Sequence, residues 1–261
     1  ADRDDLSVAL PVLWGDVAVP VGELDGPRRI TAAGDGTVFM LDNWPRVQVW
    51  RGDGTPLRHI GIPGPTDVAG DATSGDAYVA TGGDIRRIKP DGTQVWKWTP
   101  PGQGAWLLAA AATDGLVAID AGGSLIAHID AVGNATTSPL TGVIVDIATG
   151  GGRVVVADRT AAAIRVIAPD GSELARWPVP TRLMRVAGAA DGSRWFALTA
   201  DGWVWAYDNT GTPLAAFDAS ADGAAVDLAV DPTGRVLVID DTNERVDVWQ
   251  LVPNATPPEP P

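Results

Sequence analysis

Charged residues recur at one position of a repeating pattern, and they are the part of this sequence best suited to chemistry. Each opens a short apolar segment such as Asp67-Val68-Ala69, and these segments follow one another about every forty residues. The series reads Arg29, Asp67, Leu107, Asp146, Arg185 and Asp227. Three carboxylates and two guanidinium groups brought together could pair with each other or cap backbone N–H groups. They could equally bind a small polar ligand, a cation or a partner's side chain.

Turn glycines repeat with the same period and predict the fold. A first series has steps of 39, 40, 37, 40 and 42 residues, and it consists of Gly36, Gly75, Gly115, Gly152, Gly192 and Gly234. Forty residues that hold four short strands and four turns match one blade of a β-propeller. The sequence therefore predicts an all-β fold. We expect one six-bladed β-propeller of four-stranded antiparallel blades over residues 1–252, and a Pro-rich tail or linker over residues 253–261.

The last repeat is one strand short. It offers three apolar segments before the chain reaches Pro253, and a proline-rich stretch cannot form a central ladder strand. An unassigned apolar segment, Pro11 to Leu24, precedes the first repeat. We expect this N-terminal strand to complete the last blade, which would close the ring and leave no open sheet edge inside it.

The propeller places the charged series at the mouth of its central channel. The loop that enters an innermost strand lies on the top face, beside the loop between the second and third strands. We therefore expect the charged series to bind a ligand at the channel mouth, through Arg29, Asp67, Asp146, Arg185 and Asp227. The nearby top-face loops supply candidate partner-binding residues, which are Asp42, Trp44, Asp158, Arg159, Asp201, Trp203, Asp241 and Asn243.

Most of the eleven tryptophans fall at positions that face a neighbouring blade, where large rings fill the wedge between sheets. Trp44, Trp106 and Trp203 fit these positions less well, because they lie in or near loops. We expect these three rings at contact surfaces. The two histidines, His59 and His128, fall in an outer strand and a third strand, away from the axis.

The first and last repeats resemble the NHL repeat. Each contains a turn, a strand, an Asp, a few loop residues, then an Arg and an apolar strand; the pairs are Asp42 and Arg46, and Asp240 and Arg245. The fourth repeat keeps Asp158 but has Ala162-Ala163 where the Arg belongs. Residues 94–98, after the turn at Asp91-Gly92, also resemble the repeat of quinoprotein-type propellers. The NHL resemblance implies a six-bladed propeller that serves mostly as a recognition platform.

Two kinds of enzyme related to such propellers set the alternatives. Streptogramin-type lyases depend on histidines at the central face, which neither His59 nor His128 reaches. Lactonase-like propellers bind a divalent cation through channel carboxylates, and Asp67, Asp146 and Asp227 keep that possibility open. No catalytic sequence motif occurs. We interpret the chain as a non-catalytic binding or scaffold module, with a metal-dependent lactonase or lyase-like enzyme and a structural subunit of an extracytoplasmic assembly as alternatives.

Composition limits the partners. The net charge is −14 with only two lysines, so a nucleic acid would be repelled. No apolar run approaches the roughly eighteen residues of a membrane span. The absence of cysteine excludes disulfides and Cys-bound metals. We expect no cofactor and no bound metal, a protein partner or a larger assembly, and a secreted, periplasmic or cell-surface location.

Overall fold

The computed structural model describes residues 23–101, 104–111, 115–220 and 223–251. These residues form six antiparallel sheets in chain order, five with four strands and one with three. The predicted six-bladed β-propeller is therefore confirmed. No helix within these ranges has the length and apolarity of a membrane span.

Each blade is built from consecutive strands, with the innermost strand first. Blade one comprises β1 (Arg29–Ala32), β2 (Val38–Leu41), β3 (Arg46–Trp50) and β4 (Pro56–Gly61). Blade two comprises β5 (Pro65–Gly70), β6 (Ala77–Thr81), β7 (Ile85–Ile88) and β8 (Gln94–Trp98). Blade three comprises β9 (Trp106–Ala110), β10 (Gly115–Asp120), β11 (Leu125–Asp130) and β12 (Ala135–Pro139). Blade four comprises β13 (Ile144–Gly150), β14 (Arg153–Asp158), β15 (Ala163–Ile167) and β16 (Glu173–Pro178). Blade five comprises β17 (Leu183–Gly188), β18 (Arg194–Thr199), β19 (Trp203–Asp208) and β20 (Pro213–Asp218). Blade six comprises β21 (Ala225–Val230), β22 (Val236–Asp240) and β23 (Arg245–Trp249).

The sixth blade has three strands among the described residues. Most of the segment predicted to complete it, Pro11 to Leu24, lies outside those residues, as does the predicted tail 253–261. The last residue of that segment, Leu24, is described and is buried in the apolar cluster that joins the sixth blade to the first.

Burial follows the position of a strand within its blade. All four residues of β2 are buried, because this strand has hydrogen-bonded neighbours on both sides and a blade against each face. The outermost strand β16 instead exposes every residue except Trp177. The ring of Trp177 turns inward and packs in the seam between blades four and five.

Apolar side chains of the described residues collect in six clusters, one at each seam between adjacent blades. Large rings fill the wedges, as Trp195 does between blades four and five and Trp50 does between blades six and one. Both rings are almost completely buried. The ring of blades is thus closed by side-chain packing between the last blade and the first.

Turn glycines adopt the conformation that the sequence requires. Gly36 and Gly234 have φ angles of 88° and 84°, a region that other residues rarely adopt. Each closes the turn between the first and second strands of its blade, through bonds from Gly36 N–H to the Ala33 carbonyl and from Gly234 N–H to the Asp231 carbonyl. The turns from which the repeat was predicted are therefore present at these two positions.

Four innermost strands contain a β-bulge near their first residue. The extra residue comes immediately before Asp67, Asp146, Arg185 and Asp227, whereas β1 and β9 pair without interruption. A bulge increases the local twist and redirects the side chain beside it. These bulges therefore help to aim the charged side chains from their own blade toward the next.

Candidate functional site

Five charged side chains meet at one end of the central channel, where the sequence predicted them. Arg29, Asp67, Asp146 and Asp227 line the same cavity, and Arg185 contacts Asp227. We call these five residues the axial layer. The exposed fraction is 4% for Asp67, 4% for Asp227 and 9% for Asp146, so the carboxylates are largely removed from bulk water.

Each carboxylate of the axial layer holds the next blade in place. The three aspartates stand on blades two, four and six, and each accepts a backbone N–H from the innermost strand of the following blade. The three bonds, all 2.8 Å long, run from Leu108 N–H to Asp67 Oδ2, from Val186 N–H to Asp146 Oδ2 and from Ile30 N–H to Asp227 Oδ2. The last of these links blade six to blade one. Cross-blade bracing is therefore one established role of these carboxylates.

Guanidinium groups neutralise two of the three carboxylates. Arg29 Nε lies 2.8 Å from Asp67 Oδ1, and Arg29 Nη1 lies 3.8 Å from Asp227 Oδ1. Arg185 Nε lies 3.1 Å from the same Asp227 oxygen. Asp146 differs, because no basic group of the described residues lies within ion-pair distance of it. Its neighbour on the preceding blade is Leu107, which packs in the apolar seam between blades three and four.

Burial and charge set the protonation of the axial layer. Burial raises the pKa of Asp67 and of Asp227, although Arg29 acts in the opposite direction on both. Burial also raises the pKa of Asp146, to about 7. For Arg29, burial lowers the pKa, but the charges of Asp67, Asp227 and Asp146 outweigh this effect and raise it above its usual range. The arginine therefore stays charged, while Asp146 titrates near neutral pH.

A cavity of about 300 Å³ lies beneath the axial layer. It extends along the innermost strands to the turns that follow them, where Gly34, Ala72 and Ala190 line it. Alanine, glycine and valine make up most of its wall. The hydroxyl groups of Thr31 and Thr149 bond to the backbone of neighbouring blades. Polar and apolar atoms contribute about equally to the surface of the wall, and the charged groups are concentrated at the axial layer.

Asp42, a predicted partner-binding residue, is completely buried at the end of β2. Its Oδ1 accepts the N–H of Trp44 at 3.0 Å, and its Oδ2 accepts bonds from Arg46 Nη2 at 2.7 Å and Gln48 Nε2 at 2.8 Å. An Asp at the start of a turn commonly accepts the backbone N–H two residues ahead. This carboxylate thus fixes the loop from beneath and is not available at the surface.

Asp158 has the same position in the fourth blade. It is 4% exposed, accepts two backbone N–H groups of the following loop, and pairs with Arg165 Nη1 at 2.9 Å. The sequence pattern missed Arg165, because the repeat places the basic residue near Ala162. Arg165 lies two residues beyond Ala163, the cross-strand partner of Asp158, and alternate residues share one face of a strand. A search at alternate positions would have found this ion pair.

The other predicted residues of the top face differ in exposure. Trp44 is 56% exposed and belongs to none of the six seam clusters. The loop residues of blades four, five and six are also exposed, namely Arg159, Asp201, Asp241 and Asn243. Asn243 Nδ2 donates to Asp240 Oδ2 at 2.6 Å, so its side chain is tied to the loop.

Two of the three tryptophans expected at contact surfaces pack into the fold. Trp203 is partly buried against the cluster between blades four and five. Trp106 is 4% exposed and meets Trp98 edge-on, with 5.5 Å between ring centroids. The expectation of a surface position is therefore wrong for Trp106, since β9 begins at this residue and its ring enters the seam between blades two and three.

The histidines lie away from the channel, as predicted. His59 is exposed on β4, and His128 is half-buried on β11, where burial lowers its pKa. Neither residue lines the cavity. Within the described ranges, no group of three or more His, Asp or Glu side chains is arranged to hold a metal ion.

Several solved propellers have a similar fold. A streptogramin B lyase is 12% identical with a TM-score of 0.65, over 92% of this chain and 97% of that chain. A virginiamycin B lyase from Staphylococcus aureus is 14% identical with a TM-score of 0.64, over 90% and 83%. BBS1N, in complex with ARL6DN, is 15% identical with a TM-score of 0.62, over 90% and 80%. Such low identities show the propeller fold alone.

No protein-family model matches the sequence, and no curated protein matches it. The resemblance of the first and last repeats to the NHL repeat therefore stays a prediction.

Proposed function

We propose that this propeller is a non-catalytic binding module that recognises a protein partner through its top face. The observation that carries the proposal is the exposure of Trp44, whose side chain is 56% exposed on a loop fixed from beneath by the buried Asp42. Tryptophan is among the residues that most often dominate the binding energy of protein interfaces. An exposed indole on a fixed loop suits this role.

The loop that carries Trp44 is held at several points. The N–H of Trp44 donates to Asp42, and the carbonyl of Trp44 accepts the N–H of Arg46 at 2.8 Å. The Arg46 side chain also donates to the carbonyl of Glu23 at 3.0 Å. A loop held in this way loses little conformational freedom when a partner binds, and this lowers the entropic cost of association.

A second contact area lies on the top of blade four. Val143 is 51% exposed just before β13, and its carbonyl accepts the N–H of the exposed Arg159 at 2.9 Å. Exposed carboxylates at Asp201 and Asp241 add negative charge to the same face. The net charge of −14 favours a partner with basic residues, since complementary potentials speed association and reject wrong partners. We expect such a partner to offer an apolar pocket for Trp44.

The fold is compatible with this use, because the similar propeller BBS1N is in complex with ARL6DN. An enzymatic role like that of the similar lyases has no specific support in the geometry. Guanidinium groups already occupy two of the three axial carboxylates, at 2.8 Å and 3.1 Å, which leaves too few free oxygen ligands for a divalent cation there.

Quantitative affinity capture tests the proposal. Tagged wild-type protein, Trp44→Ala and Val132→Ala would be incubated with envelope, medium and cytosolic fractions of the source organism, because an extracytoplasmic location is expected. Val132 is the matched control: it is apolar, 73% exposed and lies in the turn between β11 and β12, on the opposite face.

We expect at least one protein that wild type and Val132→Ala capture equally, and that Trp44→Ala captures about tenfold less or worse. Equal recovery of every captured protein by all three baits would contradict recognition through Trp44.

A further inference from the structure

The axial layer repeats every second blade, and one of its three units lacks a charge. Each unit spans three consecutive blades. A residue on an odd-numbered blade is followed by an aspartate on the next blade, and this aspartate accepts a backbone N–H from the third blade. The units begin with Arg29 and Asp67, Leu107 and Asp146, and Arg185 and Asp227. The middle unit therefore has a carboxylate without the guanidinium that the other two possess.

Asp146 faces the channel with one oxygen unused. Oδ2 accepts the N–H of Val186, whereas Oδ1 has no hydrogen-bond or ion-pair partner among the described residues. The residue is 9% exposed and lines the cavity beneath the axial layer. Oδ1 is accessible from the cavity, so a positively charged group there can pair with it and offset the cost of ionising a largely buried carboxyl.

The cavity has the size of a site for a small ligand. Its volume of about 300 Å³ is at the lower end of the range for small-molecule pockets. Ala69, Ala148, Ala187 and Ala229 are among its lining residues, and polar atoms contribute about as much of its surface as apolar atoms do. A ligand that places positive charge beside Asp146 would therefore leave the rest of its length against a wall of mixed polarity.

We propose that the channel binds a small primary amine, with its ammonium group paired to Oδ1 of Asp146 and the rest of the molecule in the cavity of mixed polarity beneath it. A lysine side chain and a free alkylamine share this chemistry. The proposal does not depend on the top-face function, since Trp44 is not among the residues that line the channel.

The site discriminates among cations. Quaternary ammonium ions bind to aromatic faces, and none of the described residues that line the cavity is aromatic. A divalent metal would need further oxygen ligands, and no such group is arranged within the described ranges.

The protonation behaviour of Asp146 agrees with a missing counter-charge. Burial raises its pKa to about 7; Arg185 and Arg29 oppose this rise, whereas Asp227 and Asp67 add to it. An ammonium ion in contact would favour the ionised carboxylate. Amine binding should therefore be strongest above about pH 7 and should weaken as Asp146 becomes protonated.

The test uses n-butylammonium chloride as the probe, with isothermal titration and thermal unfolding in phosphate buffer at about pH 8. Tris is avoided because it is itself a primary amine. n-Butanol controls for the apolar chain, and potassium chloride controls for monovalent charge. We expect saturable binding and stabilisation with butylammonium alone, at least about tenfold weaker at about pH 5.5.

Two variants locate the site, and Asp170→Asn, in an exposed turn, is the matched control. Asp146→Asn retains an oxygen for Val186 N–H and should weaken butylammonium binding at least about tenfold. Leu107→Arg places a guanidinium where blades one and five have theirs and should abolish binding. Circular dichroism checks each fold; if Leu107→Arg unfolds, Asp146→Asn decides alone.

Wild-type protein without saturable binding, an equal response to potassium chloride or n-butanol, or unchanged binding in Asp146→Asn would each overturn the proposal. None of these outcomes bears on the capture experiment with Trp44→Ala, so the two proposals can fail separately.

Discussion

Replacing Asp146 with asparagine should stabilise the protein above about pH 7 and should stabilise it less near pH 5. The pKa of about 7 in the folded protein lies above the value of ~3.9 for an unfolded aspartate. Between these two values the folded protein binds a proton that the unfolded chain does not, so stability rises as pH falls through this window. Above it, the fold carries an ionised carboxylate that burial disfavours.

The difference between the two pKa values sets the size of the effect. One pKa unit corresponds to ~1.4 kcal/mol, so a rise from ~3.9 to about 7 corresponds to about 4 kcal/mol. Asparagine removes the charge and keeps an oxygen that can accept the N–H of Val186. We expect a gain of about 2–4 kcal/mol in the free energy of unfolding at about pH 8.5, and a smaller gain of about 1–1.5 kcal/mol at about pH 5. Urea denaturation followed by tryptophan fluorescence, without amine buffers, measures both.

Asp67→Asn is the matched control, because it makes the same change at the equivalent position of the preceding unit. Asp67 pairs with Arg29 at 2.8 Å, so its replacement removes the nearest partner of a buried guanidinium. We expect a loss of about 3 kcal/mol at pH 8.5. A comparable loss for Asp146→Asn at both pH values would refute the reasoning, since it would mean that Asp146 is neutralised as Asp67 is.

Three further substitutions test the rest of the site by urea denaturation. Asp42→Asn should lower the free energy of unfolding by about 2–3 kcal/mol, because it breaks the ion pair between the buried Asp42 and the partly exposed Arg46; an unchanged midpoint would contradict the bracing role. Gly36→Ala should cost about 1–2 kcal/mol from backbone strain alone, because φ is 88° and the added methyl group meets no atom within 4 Å. A much larger loss in the free energy of unfolding would contradict this, since it would mean that the added methyl group clashes with a neighbouring atom. Trp44→Ala should leave the free energy of unfolding within about 0.5 kcal/mol, and a loss above about 2 kcal/mol would assign the ring to packing.

The sequence predicted the parts of the site that depend on period. Asp67, Asp146 and Asp227 could be aligned because each opens the same short apolar segment, and the period of forty residues fixes how many blades separate them. The propeller then requires these positions to surround one axis. For the same reason, the placement of His59 and His128 away from the channel was predictable from strand position alone.

Features that depend on side-chain direction were not predictable in the same way. The alignment of the repeats included Leu107 in the charged series. Asp146 lacks a guanidinium partner as a consequence, but this follows only from the structure, in which each residue of the series reaches toward the next blade. The bulges that help to aim these side chains leave no clear signal in the sequence.

Residues near turns were the other source of error. Asp42 is an ordinary turn residue in the sequence, and only the structure places its carboxylate beneath the loop with four hydrogen bonds. Trp106 and Trp203 are the first residues of β9 and β19. At such a position, a shift of one residue in the predicted strand boundary decides whether the ring lies in a loop or in the seam between two blades.

The affinity of a captured partner for purified wild-type protein and for Trp44→Ala tests the central proposal most directly. Titration calorimetry on the same partner preparation would give both dissociation constants, with Val132→Ala as the control for loss of an exposed apolar side chain. We expect Trp44→Ala to bind about 30-fold more weakly, which corresponds to ~2 kcal/mol, with an unchanged urea midpoint. Equal affinity for wild type and Trp44→Ala would contradict recognition through the top-face tryptophan.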